Sequence, residues 1–287
     1  MSDLVSWSEG DPAAGFERRF AGLRRLYGDA GAQRIFDAHV VVVGIGGVGS
    51  WVVEALTRSG VGALTLIDMD HVAESNTNRQ VHALTDTFGQ AKVLAMRDRI
   101  AQINPTARVQ AIDDFVTPDN WEVLWEQAMG FGEVQGVVDA CDQRAAKETM
   151  AAWALRTGRL FITVGAAGGK RLAHKAELDD LSVVTHDPLL AQLRYRLRKV
   201  HGACREGTIG IPCVFSREPV TMPEGACEVG AVPGSALNCH GYGSSVSVTA
   251  TFGFCAAGWL LDRLAAGMKK SKKIFAAPEK GKKDAII

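Results

Sequence analysis

No CxxC pair occurs among the six cysteines, at positions 141, 204, 213, 227, 239 and 255, and they lack the dense, even spacing of a secreted disulfide scaffold. That composition favours a reducing compartment, and the cytoplasm is expected. Charge of one sign is also missing: Lys plus Arg and Asp plus Glu are both 32. Net charge therefore gives no ground for a nucleic-acid or membrane partner, which has to be argued from local patches. The first 20 residues contain no apolar run behind a basic start, so no secretory signal is expected. Residues 246–261 are apolar but interrupted by Ser, Thr and Gly, and fall short of the ~20 residues of a membrane span. They read as a buried or dimer-interface helix in preference to one touching a membrane surface. No internal repeat is present. What remains is 47% hydrophobic, enough for a sizeable core in one large or two modest domains.

Apolar runs at Val40 to Val43, Leu64 to Ile67, Val109 to Ile112, Val137 to Val138 and Leu160 to Val164 alternate with helix-compatible segments. Alternation of this kind predicts an α/β fold, a mostly parallel Rossmann-like sheet with helices on both faces. Ahead of the first strand, Arg18 to Phe36 has helix-forming composition broken by Gly22, Gly28 and Gly31. It predicts one or two short helices and an arm against a neighbouring subunit. After Gly165 the signals mix, and Gly202 to Gly243 collects Gly, Pro and Cys. The expected organisation is an extension (1–17), a nucleotide-binding domain (18–165), a loop-rich lobe ending in an apolar helix (166–267), and a basic disordered tail (268–287).

The stretch GIGGVGS places Gly44, Gly46 and Gly49 in a GxGxxG turn, directly after a strand and at the head of a helix. Free amides and the helix dipole favour a phosphate there. Asp68 closes the next strand, 19 residues beyond Gly49, where an acid can accept hydrogen bonds from ribose hydroxyls. To this point NAD and ATP fit equally. The residues that follow favour a triphosphate. Asn76, Asn78, Arg79 and Gln80 come just after the acid, and Lys92 near the start of a helix. A dinucleotide's pyrophosphate can be held by the helix terminus alone, whereas a triphosphate approaching its transition state needs added cations. Asp139 and Asp142 follow another apolar strand, where a carboxylate suits Mg²⁺, a cation that keeps waters and bridges phosphates. Taken singly, Arg79 and Lys92 read as solvated charges and Asp142 as a helix cap.

In order and spacing, GIGGVGSWVVEALTRSGVGALTLIDMD, SNTNRQ, GQAKV, INP and DACD resemble the adenylating domain of the ubiquitin-activating superfamily. That superfamily includes the molybdopterin and thiamine sulfur-carrier adenylyltransferases. Within it, RLYG, NTNRQVHAL, DDFVTPDN, CVFSRE and VTATFGF resemble the tRNA threonylcarbamoyladenosine dehydratase family. This resemblance implies an ATP-dependent enzyme that adenylates a carboxylate of threonylcarbamoyladenosine, next to the tRNA anticodon, and closes it to a cyclic form. Adenylation of a sulfur-carrier protein's C-terminus is the alternative, an NAD oxidoreductase and an inactive ATP-binding scaffold being weaker ones. By position, Gly44, Gly46, Gly47 and Gly49 would face the phosphates and Asp68 the ribose. Asn76, Asn78, Arg79 and Lys92 would hold the triphosphate, and Asp142 would ligate Mg²⁺ with Gln143 beside it. Arg79, Lys92 and Asp142 would be the catalytic set. The resemblance further implies a homodimer and admits a cysteine-desulfurase or sulfur-acceptor partner. Without the CxxC pairs of the sulfur-carrier enzymes, no zinc is expected. Cys141, between two acids, reads as structural because its neighbours disfavour a thiolate.

Two basic patches are candidates for tRNA phosphates. Leu189, Leu190, Leu193, Leu197 and Val200 form one helical stripe, which predicts that Arg194, Arg198 and Lys199 face outward. The other is the lysine-rich tail.

Overall fold

The computed structural model describes residues 12–221 and 242–267. The tail lysines, Cys227 and Cys239 lie outside the described residues. Among the described residues seven strands form one sheet in the order β3-β2-β1-β4-β5-β7-β6. They are β1 (His39–Val43), β2 (Ala63–Ile67), β3 (Arg108–Ile112), β4 (Gly136–Asp139), β5 (Phe161–Val164), β6 (Ala176–Asp180) and β7 (Pro212–Ser216). All neighbours pair in parallel except β6, which runs antiparallel to β7. The five apolar runs expected to be strands are β1 to β5. Strands β6 and β7 are additions from the region read as loop-rich.

Among the described residues seven α-helices connect and cover the strands: α1 (Pro12–Phe36), α2 (Gly49–Arg58), α3 (Lys92–Ile103), α4 (Trp121–Phe131), α5 (Arg144–Thr157), α6 (Pro188–Val200) and α7 (Val246–Ala266). Successive strand side chains point to opposite faces, so β1 sends Val40 and Val42 into one core and Val41 and Val43 into the other. The first core holds apolar residues of α1, α2, α3 and α7. The second holds those of α4, α5 and α6. With both faces covered, β1, β2, β4 and β5 are buried at every residue, which is why they read as continuous apolar runs. Helix α1 consists of two helical pieces meeting at Gly28, whose φ of 72° a side chain would oppose. The 246–261 stretch is α7, packed against α1 and α2. Among the described residues no helix is long and apolar enough to cross a membrane.

Strand order reverses between β1 and β4: β1 continues to β2 on one side, and β4 lies on the other. Connections on the two sides therefore diverge at the carboxyl ends of these strands, which leaves the crevice where open parallel sheets take ligands.

Candidate nucleotide site

That crevice is a cavity of about 650 Å³. Its centre is the turn from β1 to α2. Gly44, at φ 84°, passes so close to the chain after β4 that a Cβ would lie 2.7 Å from the Cys141 amide nitrogen. A Cβ on Gly49 would overlap the Gly44 carbonyl, at 1.7 Å. These two glycines close the turn, whereas Gly44, Gly46 and Gly47 line the cavity. No side chain caps α2, and its Ser50 and Trp51 amides already bond the Gly46 and Val48 carbonyls, so it is the amides of the turn ahead of them that are left for a ligand.

Asp68 leaves the end of β2 and fixes this turn. One carboxylate oxygen accepts from the Ile45 amide at 2.6 Å and the other from the Asp70 amide at 2.8 Å. Burial pushes the Asp68 carboxyl above its usual range, against the pull of Lys92 and of those two amides. Asn76 ends a single turn of 3-10 helix (Glu74–Asn76), and its Oδ1 accepts from the Ala73 amide at 3.1 Å. Arg79 follows on the cavity wall. Its carbonyl accepts from the Trp51 indole at 2.9 Å, and its Nη1 donates to the Ser75 carbonyl at 2.8 Å and to Asn78 Oδ1 at 2.9 Å. The Asn78 side chain also donates to the Ser244 carbonyl at 2.9 Å. Asn78 thus braces Arg79 from behind, outside the cavity lining, and Gly49 likewise supports the turn without lining it.

Lys92, the first residue of α3, is 5% exposed, and its ammonium lies 2.7 Å from Asp70 Oδ2. Asp70 is open to solvent and lines the cavity beside it. Asp142 is exposed after β4, and Gln143 immediately precedes α5 without a side-chain cap bond; both border the cavity. Among the described residues there is no group of three or more His, Cys, Asp or Glu side chains that could hold a metal. A single carboxylate facing a phosphate-sized space nevertheless fits Mg²⁺, which is held through one or two carboxylates plus substrate phosphates.

Asp139 corrects the reading that put it at the cation site. It is fully buried, accepting from Lys147 Nζ at 2.9 Å and from the Thr163 hydroxyl at 2.6 Å. Burial works against the Lys147 ammonium, yet Asp139 holds it above the usual lysine range. Burial, and then the Asp139 carboxylate, push the Cys141 thiol well above its usual value. A thiol in that field stays protonated, as its structural reading requires.

The basic face on α6 also needs correction. Leu189, Leu190, Leu193 and Leu197 are buried, but Val200, at the helix end, is exposed. Arg194 does not face freely outward: its guanidinium donates to the carbonyls of Leu181 and Val184, at 3.1 and 2.7 Å. Arg198 donates to the Cys204 carbonyl at 3.0 Å, and Lys199 is exposed.

The far wall of the cavity was not foreseen. It comprises residues 165–168, after β5, with Leu189 and Val220. Asp187 braces it, one oxygen accepting from the Leu190 amide at 3.0 Å as the cap of α6 and the other from the Ala166 amide at 2.9 Å. The dipeptide Asp187-Pro188 is a helix-start signal that would have located the cap, though not its second bond.

The ThiF family pattern matches residues 17–272. The tRNA threonylcarbamoyladenosine dehydratase of Escherichia coli (strain K12) is 44% identical over 259 residues, covering 88% of this chain and 95% of that one. A crystal structure of the E. coli tRNA N6-threonylcarbamoyladenosine dehydratase in complex with ATP superimposes with a TM-score of 0.76 at 43% identity, covering 88% of this chain and 96% of the other. The sulfur carrier protein adenylyltransferase of Thermus thermophilus is 40% identical, but over 93 residues, 32% of this chain and 34% of its own. Likeness to the dehydratase thus covers most of both chains, whereas likeness to the sulfur-carrier enzyme covers about a third of each. The chain belongs to the ThiF family, on its tRNA threonylcarbamoyladenosine dehydratase branch.

Proposed function

We propose that the protein uses ATP to dehydrate threonylcarbamoyladenosine next to the tRNA anticodon, by carboxylate adenylation and ring closure. The observation that carries this reading is the meeting of the glycine turn, Asp68, Arg79, Lys92 and Asp142 around one cavity. Its volume falls within the roughly 300–1,000 Å³ of small-molecule sites.

The Gly44–Gly47 turn at the head of α2 receives the phosphates, and Asp68 faces the ribose. Lys92 turns from Asp70 to the phosphates, and Arg79 joins it, so that fixed positive charge meets the negative charge developing during transfer. Mg²⁺ held by Asp142 would add neutralisation of the phosphate oxygens. A carboxylate oxygen of the substrate attacks the α-phosphorus, the bond to the bridging oxygen breaks, and pyrophosphate departs. A nitrogen of the same modification then attacks the acyl carbon, AMP leaves with the carboxylate oxygen, and the nitrogen loses its proton. The elements of one water are removed overall, with no protein nucleophile.

The protein works in the cytoplasm, where its tRNA substrate is, and as a homodimer. In support of the dimer, Leu26 on α1 and Phe254 on α7 are large apolar side chains 73% and 48% exposed. A cysteine-desulfurase or sulfur-acceptor partner is compatible with the family. Pyrophosphate release in the presence of ATP and Mg²⁺ tests the reading. It should require tRNA bearing linear threonylcarbamoyladenosine; release driven instead by a small protein ending in Gly-Gly would replace this function with sulfur-carrier activation.

A further inference from the structure

Lys170 lies in the turn cluster after β5 and is 2% exposed. Its ammonium meets three main-chain carbonyls: His186 at 3.1 Å, Ser216 at 3.2 Å and Glu218 at 2.7 Å. Among the described residues no carboxylate oxygen bonds it. An ammonium has three N–H donors and no lone pair, so each carbonyl is matched by one donor. A neutral amine would aim its lone pair at a carbonyl oxygen. Burial draws Lys170 below the usual lysine value, opposed by the nearby Asp187 and Glu218 carboxylates.

The three carbonyls come from two segments far apart in sequence, one around His186 and one from Ser216 to Glu218, and each leads on to the cavity lining, at Leu189 and at Val220. His186 precedes Asp187, which holds the Ala166 amide. Ser216 ends β7. The Glu218 carboxylate accepts from the Arg171 and Leu172 amides, at 3.0 and 2.8 Å, tying the residues after Lys170 back to the chain after β7. Between them Gly169, at φ 72°, donates to the Gly243 carbonyl and accepts from the Thr221 amide, and a Cβ there would meet Val220 at 2.6 Å. Gly165 to Gly168 on one side and Val220 on the other line the cavity opposite the glycine turn.

We propose that Lys170 is a positioning residue: a tethered cation that gathers three main-chain carbonyls and thereby sets the far wall of the nucleotide and substrate cavity. The ring it fills is one that a free monovalent cation of similar size could fill. Truncation to alanine should therefore leave a site for such a cation, whereas methionine should plug it with an apolar chain. The effect on turnover rests on the function proposed above, but melting temperature and ATP affinity do not.

The test compares wild type, Lys170→Ala and Lys170→Met, each in choline, ammonium, potassium and methylammonium chloride at one ionic strength. Melting temperature, ATP affinity and pyrophosphate release are read in each. Lys170→Ala in choline should melt lower and bind ATP at least tenfold more weakly. Ammonium or potassium should restore both saturably, while wild type and Lys170→Met stay unresponsive. A folded Lys170→Ala that matches wild type in choline, or that is impaired and indifferent to every cation, overturns the proposal. If Lys170→Ala does not fold in any salt, amine acylation of the wild-type protein decides. Lys170 should stay unlabelled while exposed Lys199 reacts, and labelling at equal rates would reject the ring.

Discussion

Two lysine–aspartate pairs sit at the carboxyl edge of the same sheet, and they do different things. Lys92 and Asp70 are 2.7 Å apart, with the Asp70 side chain 69% exposed; Lys147 and Asp139 are 2.9 Å apart, with both side chains 0% exposed. The first pair opens on the cavity, so an incoming phosphate can take the ammonium and leave Asp70 to water at little cost. The second is sealed, with the Thr163 hydroxyl bonding both partners. Neither charge in it can be released without leaving the other buried and unpaired. Both lysines are buried, and it is the exposure of the aspartate, not residue type, that separates the pair open to a ligand from the sealed one.

The contrast is broken most strongly at the sealed pair. Lys147→Met should destabilise the fold by about 3–5 kcal/mol, because Asp139 would be left charged in the core. Chemical denaturation measures this, and a variant within 1 kcal/mol of wild type, roughly the worth of an exposed pair, would erase the distinction. Arg79→Ala, on the open side, should leave the fold nearly unchanged. Loss of one preorganised charge contact there should slow adenylate formation by about a hundredfold, or ~3 kcal/mol, in single-turnover kinetics. Comparable losses of melting temperature and rate would make Arg79 structural.

Asp142→Asn sharpens the same boundary. It keeps shape but removes a full charge from the proposed Mg²⁺ side, so turnover should fall and the Mg²⁺ concentration needed for half-maximal rate should rise, with melting unchanged. Unaltered Mg²⁺ dependence would return Asp142 to the plain role of a residue at a helix start.

A quieter prediction concerns His82, which is 1% exposed with neither ring nitrogen hydrogen-bonded. Burial lowers it to about 4, with Lys92 and Arg99 acting in the same direction. Between that value and the ordinary 6.5 the unfolded chain binds a proton that the folded chain does not. Stability should therefore fall as pH drops through this window, on the order of 3 kcal/mol in total. His82→Leu should flatten that part of the pH–stability curve, and an unchanged slope would assign it to other groups.

Where local chemistry repeats a simple rule, the molecule was legible in its sequence. Strands β1 to β5, the GxGxxG turn and Asp68 follow from apolar runs and glycine spacing, and the structure gathers Asn76, Arg79, Lys92, Asp142 and Gln143 at the cavity. What was not legible depends on distant neighbours. Strand β6, AELDD, has no apolar face to announce it and forms because β7 offers an antiparallel edge. Arg194 read as outward because helical periodicity says nothing of the Leu181 and Val184 carbonyls beside it. Lys170 and Asp187 draw their roles from main-chain groups that other segments deliver. Asp139 and Asp142 illustrate both cases, since they look alike three residues apart, yet one is fully buried and the other borders the cavity.

The most direct measurement is the mass of the modified nucleoside recovered from tRNA after incubation with ATP, Mg²⁺ and either wild type or Lys92→Met. Wild type should convert linear threonylcarbamoyladenosine to a product lighter by one water, with one AMP formed per product, while Lys92→Met, equally folded, should convert it far more slowly. Unchanged nucleoside mass with active wild-type protein, or full conversion by Lys92→Met, would contradict the account.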